Sequence, residues 1–526
     1  MRRWNGWGEE GVVYPLTADA VAFLVQAIGP ARPGPETPLE EIARRVPSPR
    51  LPTHPLLTMD AAVRVRYALG QSFPDWVEAR FGTLRQAPAA VAFPQDDDQV
   101  REVIAYARSV GARLLPYGGG TSVVGHLRFH PDRQPVVVLS MERMNRLVHL
   151  DPISHTATFQ AGVRGPDLEA VLRAQGFTLG HFPQSFEYST LGGWIATRSV
   201  GQESHRYGRM DQLFLGGRVE TPLGTWDLPP HPASAAGADL RQVVLGSEGR
   251  AGVITQAVVR ITPLPPRQDF WAAFLPDWKT ALEATRHLAQ LRLPLNLIRL
   301  SNPEETRVLL ALSGRAAQVR WLRRYLRLRG LREAPCLLLL SASGHPHQLR
   351  PMAARLRELV RDFRGVWGPH QIARHWARNR FRSPYLRNTL WDLGYGVDTV
   401  ETATVWSKVP VMVEAMETAL RRALENEGER ALVFTHLSHL YPQGSSVYTT
   451  FIFRLAETAE ATLARWHRMK AAVTQAILAN GGTLSHQHGI GHDHAPYLAR
   501  EKGPIGLRLH EALWQTLDPD GLFQVR

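Results

Sequence analysis

The chain has 526 residues, of which 44% are hydrophobic and 21% charged, with a formal net charge of +13. That length exceeds what one hydrophobic core supports, so two or three packed globular units are expected. The single cysteine, Cys336, excludes an internal disulfide, a CxxC redox pair and a four-cysteine zinc site.

Residues 1–89 mix aromatics, prolines and short helical patterns, and are expected to form an extension that wraps a larger body. From about residue 90 the pattern changes. Residues 99–110 are amphipathic and predict a helix, 113–116 a short strand running into a glycine turn, and 136–139 another strand. Strands and helices then alternate until Pro263, Pro265 and Pro266 punctuate the block, which gives a unit at 90–266. Residues 267–430 combine arginine-rich amphipathic helices, at 316–331 and 351–363, with strand-like runs such as 337–341. They read as a second α+β domain. The segment 431–526 returns to a strand at 446–453 and a helix at 457–479, then enters a loop rich in glycine and histidine.

The sharpest local signal is Pro116-Tyr117-Gly118-Gly119-Gly120-Thr121-Ser122. Successive glycines remove every Cβ near the backbone and let consecutive N–H groups converge on an anion, while Thr121 and Ser122 add hydroxyl donors. That chemistry suits a pyrophosphate; a plain glycine turn is the bland alternative. It is neither a Walker loop nor the GxGxxG fingerprint. Two further stretches pair small residues with hydroxyls beside apolar runs. One holds Gln184, Ser185, Ser189, Thr190, Gly192, Gly193, Ala196, Thr197 and Ser199, and the other holds Glu248, Gly252, Val253 and Ile254.

In this order and spacing, the three stretches resemble the flavin-binding domain of the vanillyl-alcohol-oxidase and p-cresol-methylhydroxylase family. The resemblance implies an α+β architecture: a two-subdomain FAD domain under a substrate domain of the FAD-linked oxidase C-terminal type. It also implies that the first loop cradles the pyrophosphate. Arg250 and Ala251 replace the Thr-Leu common in the third motif. The first loop has neither histidine nor cysteine for a covalent link, so non-covalent FAD is expected.

Further stretches are similar to alkyldihydroxyacetonephosphate synthases and their bacterial relatives. These are Trp4-Asn5-Gly6-Trp7-Gly8, Ser185 to Trp194, Pro384-Tyr385-Leu386-Arg387, Glu401 to Trp406, and Ser485-His486-Gln487-His488-Gly489-Ile490-Gly491. The activity this implies belongs to ether-lipid synthesis. The acyl group of acyl-dihydroxyacetone phosphate is exchanged for a fatty alcohol through a flavin N5 adduct, with no net redox change. By the same resemblance Tyr448 is the acid/base group, whose pKa the site is expected to lower for base work. Arg387 binds substrate, Arg299 is a weaker match to a second arginine, and His486 and His488 position substrate or stabilise charge. Each has a bland alternative: a packed strand tyrosine, solvated arginines, a polar loop.

Gln487 departs from the synthases, which carry three adjacent histidines there. The alternative function is FAD-dependent oxidation of a 2-hydroxy acid such as lactate or glycolate. Related dehydrogenases of that kind use a metal and place a glutamate where Gln487 stands, and an amide oxygen replaces a carboxylate ligand poorly. No metal is therefore expected, although His436, His439, His486, His488, His492 and His494 are many imidazoles for one region.

The positive charge is nearly all arginine, since Lys279, Lys408, Lys470 and Lys502 are the only lysines. Codon bias explains most of this, but arginine forks also suit an anionic phosphate or carboxylate substrate. No nucleic-acid motif is present. No apolar signal segment follows Met1-Arg2-Arg3-Trp4, and no run reaches the roughly 20 residues of a membrane span. A cytoplasmic enzyme is expected, with peripheral membrane contact left open and a homodimer as the default oligomer.

Overall fold

The computed structural model describes residues 1–129, 134–331 and 334–525. Residues near the N-terminus form short capped helices. Phe73–Arg80 is typical: Ser72 and Asp75 form a reciprocal capping box, and Pro74 sits in the first turn where no N–H is missed. Its Phe73 and Trp76 are buried in one core with Trp391, Phe453 and Trp466 from far along the chain. The N-terminal segment therefore closes over the body of the protein.

The first glycine loop belongs to a four-stranded sheet. Ala90–Ala92, Val136–Ser140 and Arg113–Tyr117 run parallel, and Leu57–Thr58 pairs antiparallel at the edge. The helix Asp97–Ser109 buries Val100, Val103, Ile104 and Ala107, one stripe at helical spacing. Leu522 and Phe523 return to this core, and both their N–H groups donate to the Asp518 carboxylate. A second, antiparallel sheet of five strands follows, in which Val253–Arg260 lies between Thr156–Gln160 and Phe214–Thr221.

The third sheet has eight antiparallel strands. Its path runs Val366–Trp367, Gln268–Leu275, Cys336–Ser343, Leu295–Ser301, Leu432–Leu437, Gly444–Arg454 and Tyr395–Val405, with Leu440–Tyr441 pairing the penultimate strand. Strands from both sides of residue 430 thus share one sheet. The helices Trp278–Gln290, Val409–Arg422 and Ala459–Ala479 bury their apolar sides in its core. Cys336 is a buried free thiol in this sheet. No described helix is long and apolar enough to cross a membrane.

The predicted elements are present at nearly the expected bounds. The run 316–331 is the helix Ala316–Leu328, 446–453 is part of Gly444–Arg454, and 457–479 is Ala459–Ala479. The helix expected at 351–363 starts a turn and more earlier, at Pro346, which takes the first-turn position that a proline suits, while Pro351 lies inside the helix.

Candidate active site

A cavity of about 1190 Å³ runs between the glycine loops and the large sheet. That exceeds the roughly 300–1,000 Å³ of a single-ligand pocket, so it has room for a cofactor and a substrate together.

One wall is built by the three stretches read from sequence. All of Pro116, Tyr117, Gly118, Gly119, Gly120, Thr121 and Ser122 line it. So do Gln184, Ser185, Ser189, Thr190, Gly192, Gly193, Ala196, Thr197 and Ser199, and Glu248, Gly252, Val253 and Ile254. The glycines are required by close approach. A Cβ on Gly119 would lie 2.0 Å from the Tyr188 carbonyl oxygen, and one on Gly118 would lie 2.4 Å from Thr190 Oγ1. Gly120 adopts φ +63°, which favours glycine. The loop therefore presents bare backbone and two hydroxyls to the cavity, a donor set that fits a pyrophosphate. Not every lining residue faces inward with free groups. The Gln184 amide donates to the Arg380 carbonyl at 2.7 Å and also bonds Ser383. The Glu248 carboxylate accepts the N–H groups of Ile490 and Gly491, which pins the histidine loop to the flavin-type wall.

The stretches that resemble the synthases converge at the other end. Asn388 brackets Trp7, accepting its N–H at 3.1 Å and donating to its carbonyl at 2.8 Å. Trp7 meets Tyr188 edge-on at 5.5 Å, and the Tyr188 and Tyr385 hydroxyls are 3.3 Å apart. This packing holds the short helix Leu386–Asp392 in place. From it Arg387 donates to the Gln71 carbonyl at 2.7 Å and lies over the Trp76 ring at 4.4 Å, while lining the cavity.

Tyr448 lines the cavity on the strand Gly444–Arg454. Its ring stacks on His436 of the neighbouring strand, centroids 4.6 Å apart at 20°. Burial pushes the phenol well above its usual range. Glu401 and Asp398 push the same way, against Thr399 and Arg387. This corrects the expectation of a lowered pKa: burial, aided by two carboxylates, outweighs Thr399 and the one nearby arginine, so the protein alone holds Tyr448 as a neutral phenol.

His488 also lines the cavity, edge-on to Tyr448, and burial holds its pKa down. His486 does not line it. Its Nδ1 lies 3.0 Å from Glu401 Oε1, and its Nε2 is 2.6 Å from the Tyr441 hydroxyl, so the ring stands behind the wall. Both histidines reach Glu401, His486 at 3.0 Å and His488 at 3.8 Å, but of the two only His488 extends to the cavity. Arg299 lines the cavity, but its terminal nitrogens are engaged by Ser301 and Glu305, both at 2.9 Å. It braces a carboxylate, which leaves it less to offer a substrate anion than expected.

Two carboxylates had no role assigned from the sequence, although Glu401 opens one of the stretches similar to the synthases. Glu401 is fully buried beneath the site. Burial opposes its charge, but His486, His439 and His488 outweigh that and hold it well below the usual carboxylate range. Burial takes His439 down to about 3. Donor atoms of Glu401, His439 and His486 all lie within 4.8 Å of one another. The second is Glu305, which reaches His436 Nδ1 at 2.8 Å. It sits after Asn302 and Pro303, where an acidic residue reads only as the first turn of a helix.

The FAD binding domain family matches residues 88–227, and the family of FAD linked oxidases, C-terminal domain, matches residues 264–524. The chain belongs to the FAD-linked oxidases: an FAD-dependent enzyme of two such domains. Its relatives include the alkyldihydroxyacetonephosphate synthase of Dictyostelium discoideum, 28% identical over 89% of this chain and 77% of that protein. The synthase of Trypanosoma brucei brucei is 28% identical over 99% of this chain and 91% of its own. The D-lactate dehydrogenase [cytochrome] 1, mitochondrial, of Saccharomyces cerevisiae is 24% identical over 82% of this chain and 71% of its own. A solved structure of an alkyldihydroxyacetonephosphate synthase superposes with a TM-score of 0.85 at 25% identity, covering 99% of this chain and 98% of the other.

Proposed function

We propose that this protein exchanges the acyl group of acyl-dihydroxyacetone phosphate for a fatty alcohol, in the manner of an alkyldihydroxyacetonephosphate synthase. It works in the cytoplasm at a membrane surface, with FAD held non-covalently. One observation carries the reading. The cavity joins the polar end at Arg387, Tyr448 and His488 to an apolar arm lined by Val308, Leu309, Leu312, Val319, Leu322 and Trp376. A fatty chain needs such an arm; lactate or glycolate does not. The non-covalent link is supported by the absence of histidine and cysteine from residues 116–122 and by the burial of Cys336 in another core.

Bound FAD supplies the electron-poor ring that the exchange requires. The chain's own groups do the rest. The glycine loop would hold the cofactor's pyrophosphate with its bare backbone and hydroxyls. Arg387, oriented by Gln71 and Trp76, offers its remaining donors to the substrate phosphate. Tyr448, as a neutral phenol, donates to the substrate carbonyl oxygen, where negative charge gathers once the adjacent carbon loses its proton.

The arm also leads to the surface. Trp321 lines the cavity and is 60% exposed, on the helix Ala316–Leu328 whose outer face carries Arg320, Arg323, Arg324 and Arg327. An exposed tryptophan among arginines at the mouth of an apolar passage supports docking on an anionic bilayer that stores both lipid substrates.

The test is to mix the FAD-loaded protein without oxygen with acyl-dihydroxyacetone phosphate and, separately, with D-2-hydroxy acids, while following the flavin spectrum. Fatty-acid release with no lasting bleaching is expected. Lasting bleaching by a hydroxy acid, with no fatty-acid release, overturns the reading in favour of a dehydrogenase.

A further inference from the structure

We propose that His436 is the base that removes the substrate proton, with Glu305 and Arg299 as the pair that orients it; this rests on the function proposed above. His436 stands on the strand Leu432–Leu437, in register with Tyr448 on one side and Ser301 on the other. Its ring lines the cavity, and its Nδ1 lies 2.8 Å from Glu305 Oε1. The same oxygen accepts from Arg299 at 2.9 Å.

Glu305 is buried in the first turn of the helix Pro303–Leu312, and its own N–H is held by Asn302. Burial alone would neutralise it. Arg299 and His436 outweigh that and hold it as an anion, with a pKa of about 2. A carboxylate at 2.8 Å fixes the imidazole proton on Nδ1. That leaves the lone pair on Nε2, at the ring edge away from Glu305, and Nε2 makes no hydrogen bond to another described residue. An acid that orients a histidine while the far nitrogen faces the reacting group is the arrangement that makes imidazole a base.

The charged and titratable groups facing His436 are Arg299, Glu305, Tyr448, Glu401 and His439. Burial, followed by Arg299, lowers its pKa, so the ring is neutral near pH 7 and able to accept. The step balances without a further reagent. A C–H bond of the carbon that bears the acyl oxygen breaks, the proton passes to Nε2, and the electron pair is delocalised onto the neighbouring ketone oxygen as an enolate, the acyl ester still intact. The Tyr448 hydroxyl, one strand away, donates to that enolate oxygen. Nε2 returns the proton to carbon after the exchange.

The experiment follows hydrogen–deuterium exchange at that carbon and fatty-acid release together, in FAD-loaded wild type, His436→Gln and Glu305→Gln. A wild type that performs neither overturns the proposed function, and this inference with it. With an active wild type, His436→Gln is expected to retain flavin and a similar KM, to lose about 10²–10⁴-fold in exchange, and to lose the fall in rate toward acid pH. Glu305→Gln is expected to shift that fall to lower pH, because the imidazolium loses its counter-charge. A His436→Gln enzyme with the wild-type rate and acid limb overturns the assignment while the function stands. A second readout needs no turnover: ¹⁵N-histidine spectra of the apoprotein at neutral pH are expected to place a single proton of His436 on Nδ1. A proton on Nε2 overturns the proposal even where the variants fail to fold.

Discussion

Gln487 and Glu401 meet at 2.7 Å, the amide Nε2 donating to a carboxylate oxygen that is wholly buried. The Gln487 carbonyl accepts the Val200 N–H at 2.9 Å, so one neutral side chain ties the histidine loop to both the large sheet and the glycine-rich wall. Glu401 is thus a charge kept in the interior by imidazoles and an amide.

Glu401→Gln removes that charge while keeping the shape. Because Glu401 has a depressed folded pKa, its contribution to stability is full above the unfolded carboxyl value of about 4.3 and is lost as pH falls through the folded value. The variant is expected to be less stable than wild type by about 3 kcal/mol at neutral pH, with the gap closing below about pH 4. Urea unfolding across that range checks this; a gap that stays constant with pH removes the electrostatic explanation.

Gly119→Ala places a methyl group 2.0 Å from a backbone oxygen that has no freedom to rotate away. The strand Arg113–Tyr117 or the segment holding Tyr188 must shift, and the phosphate cradle with it. The purified variant is expected to be colourless while keeping its helical circular dichroism. Full flavin content would show that the loop does not carry the cofactor.

Tyr448→Phe keeps the ring stacked on His436 and removes only the hydroxyl. Flavin content and melting temperature are expected to stay close to wild type, while turnover falls about 10²–10³-fold, the usual loss for one donor at a developing oxyanion. Turnover within twofold of wild type, about 0.4 kcal/mol, would take Tyr448 out of the chemistry.

The membrane docking proposed for the helix Ala316–Leu328 is tested with Trp321→Glu and Arg324→Glu together. Both residues are exposed, so folding is expected to be unaffected. Sedimentation with phosphatidylserine vesicles is expected to drop sharply, and activity on soluble short-chain substrates to be retained. Equal binding of variant and wild type would sever the arm's mouth from the bilayer.

The glycine loops were legible in the sequence because backbone chemistry is local: Gly118, Gly119 and Gly120 announce a bare cradle wherever they fold. The strands and helices were legible because Val136–Ser140 and Asp97–Ser109 carry their periodicity in their own residues. The pairing of Glu305 with His436 was not, since 131 residues separate them and only the register of the large sheet brings them together. His486 was expected in the site because the whole stretch Ser485 to Gly491 is similar to the synthases. His486, Gln487 and His488 all reach Glu401, and spacing alone does not say which of the two rings extends past it to the cavity.

Filling the apolar arm separates a chain-binding passage from an incidental gap. Leu309 lines the arm and is only partly buried, so Leu309→Trp adds bulk without forcing open a closed core. Each buried methylene contributes about 0.8 kcal/mol. An indole that displaces about three methylenes of a long fatty alcohol therefore costs about 2 kcal/mol, or roughly thirtyfold in kcat/KM. A short alcohol that never reaches Leu309 loses nothing. The expected result is a kcat/KM that no longer rises with chain length beyond the block, measured over a series of alcohols with one acyl substrate. An equal loss for short and long alcohols would mean that the chain lies elsewhere and that Leu309 acts only through the fold.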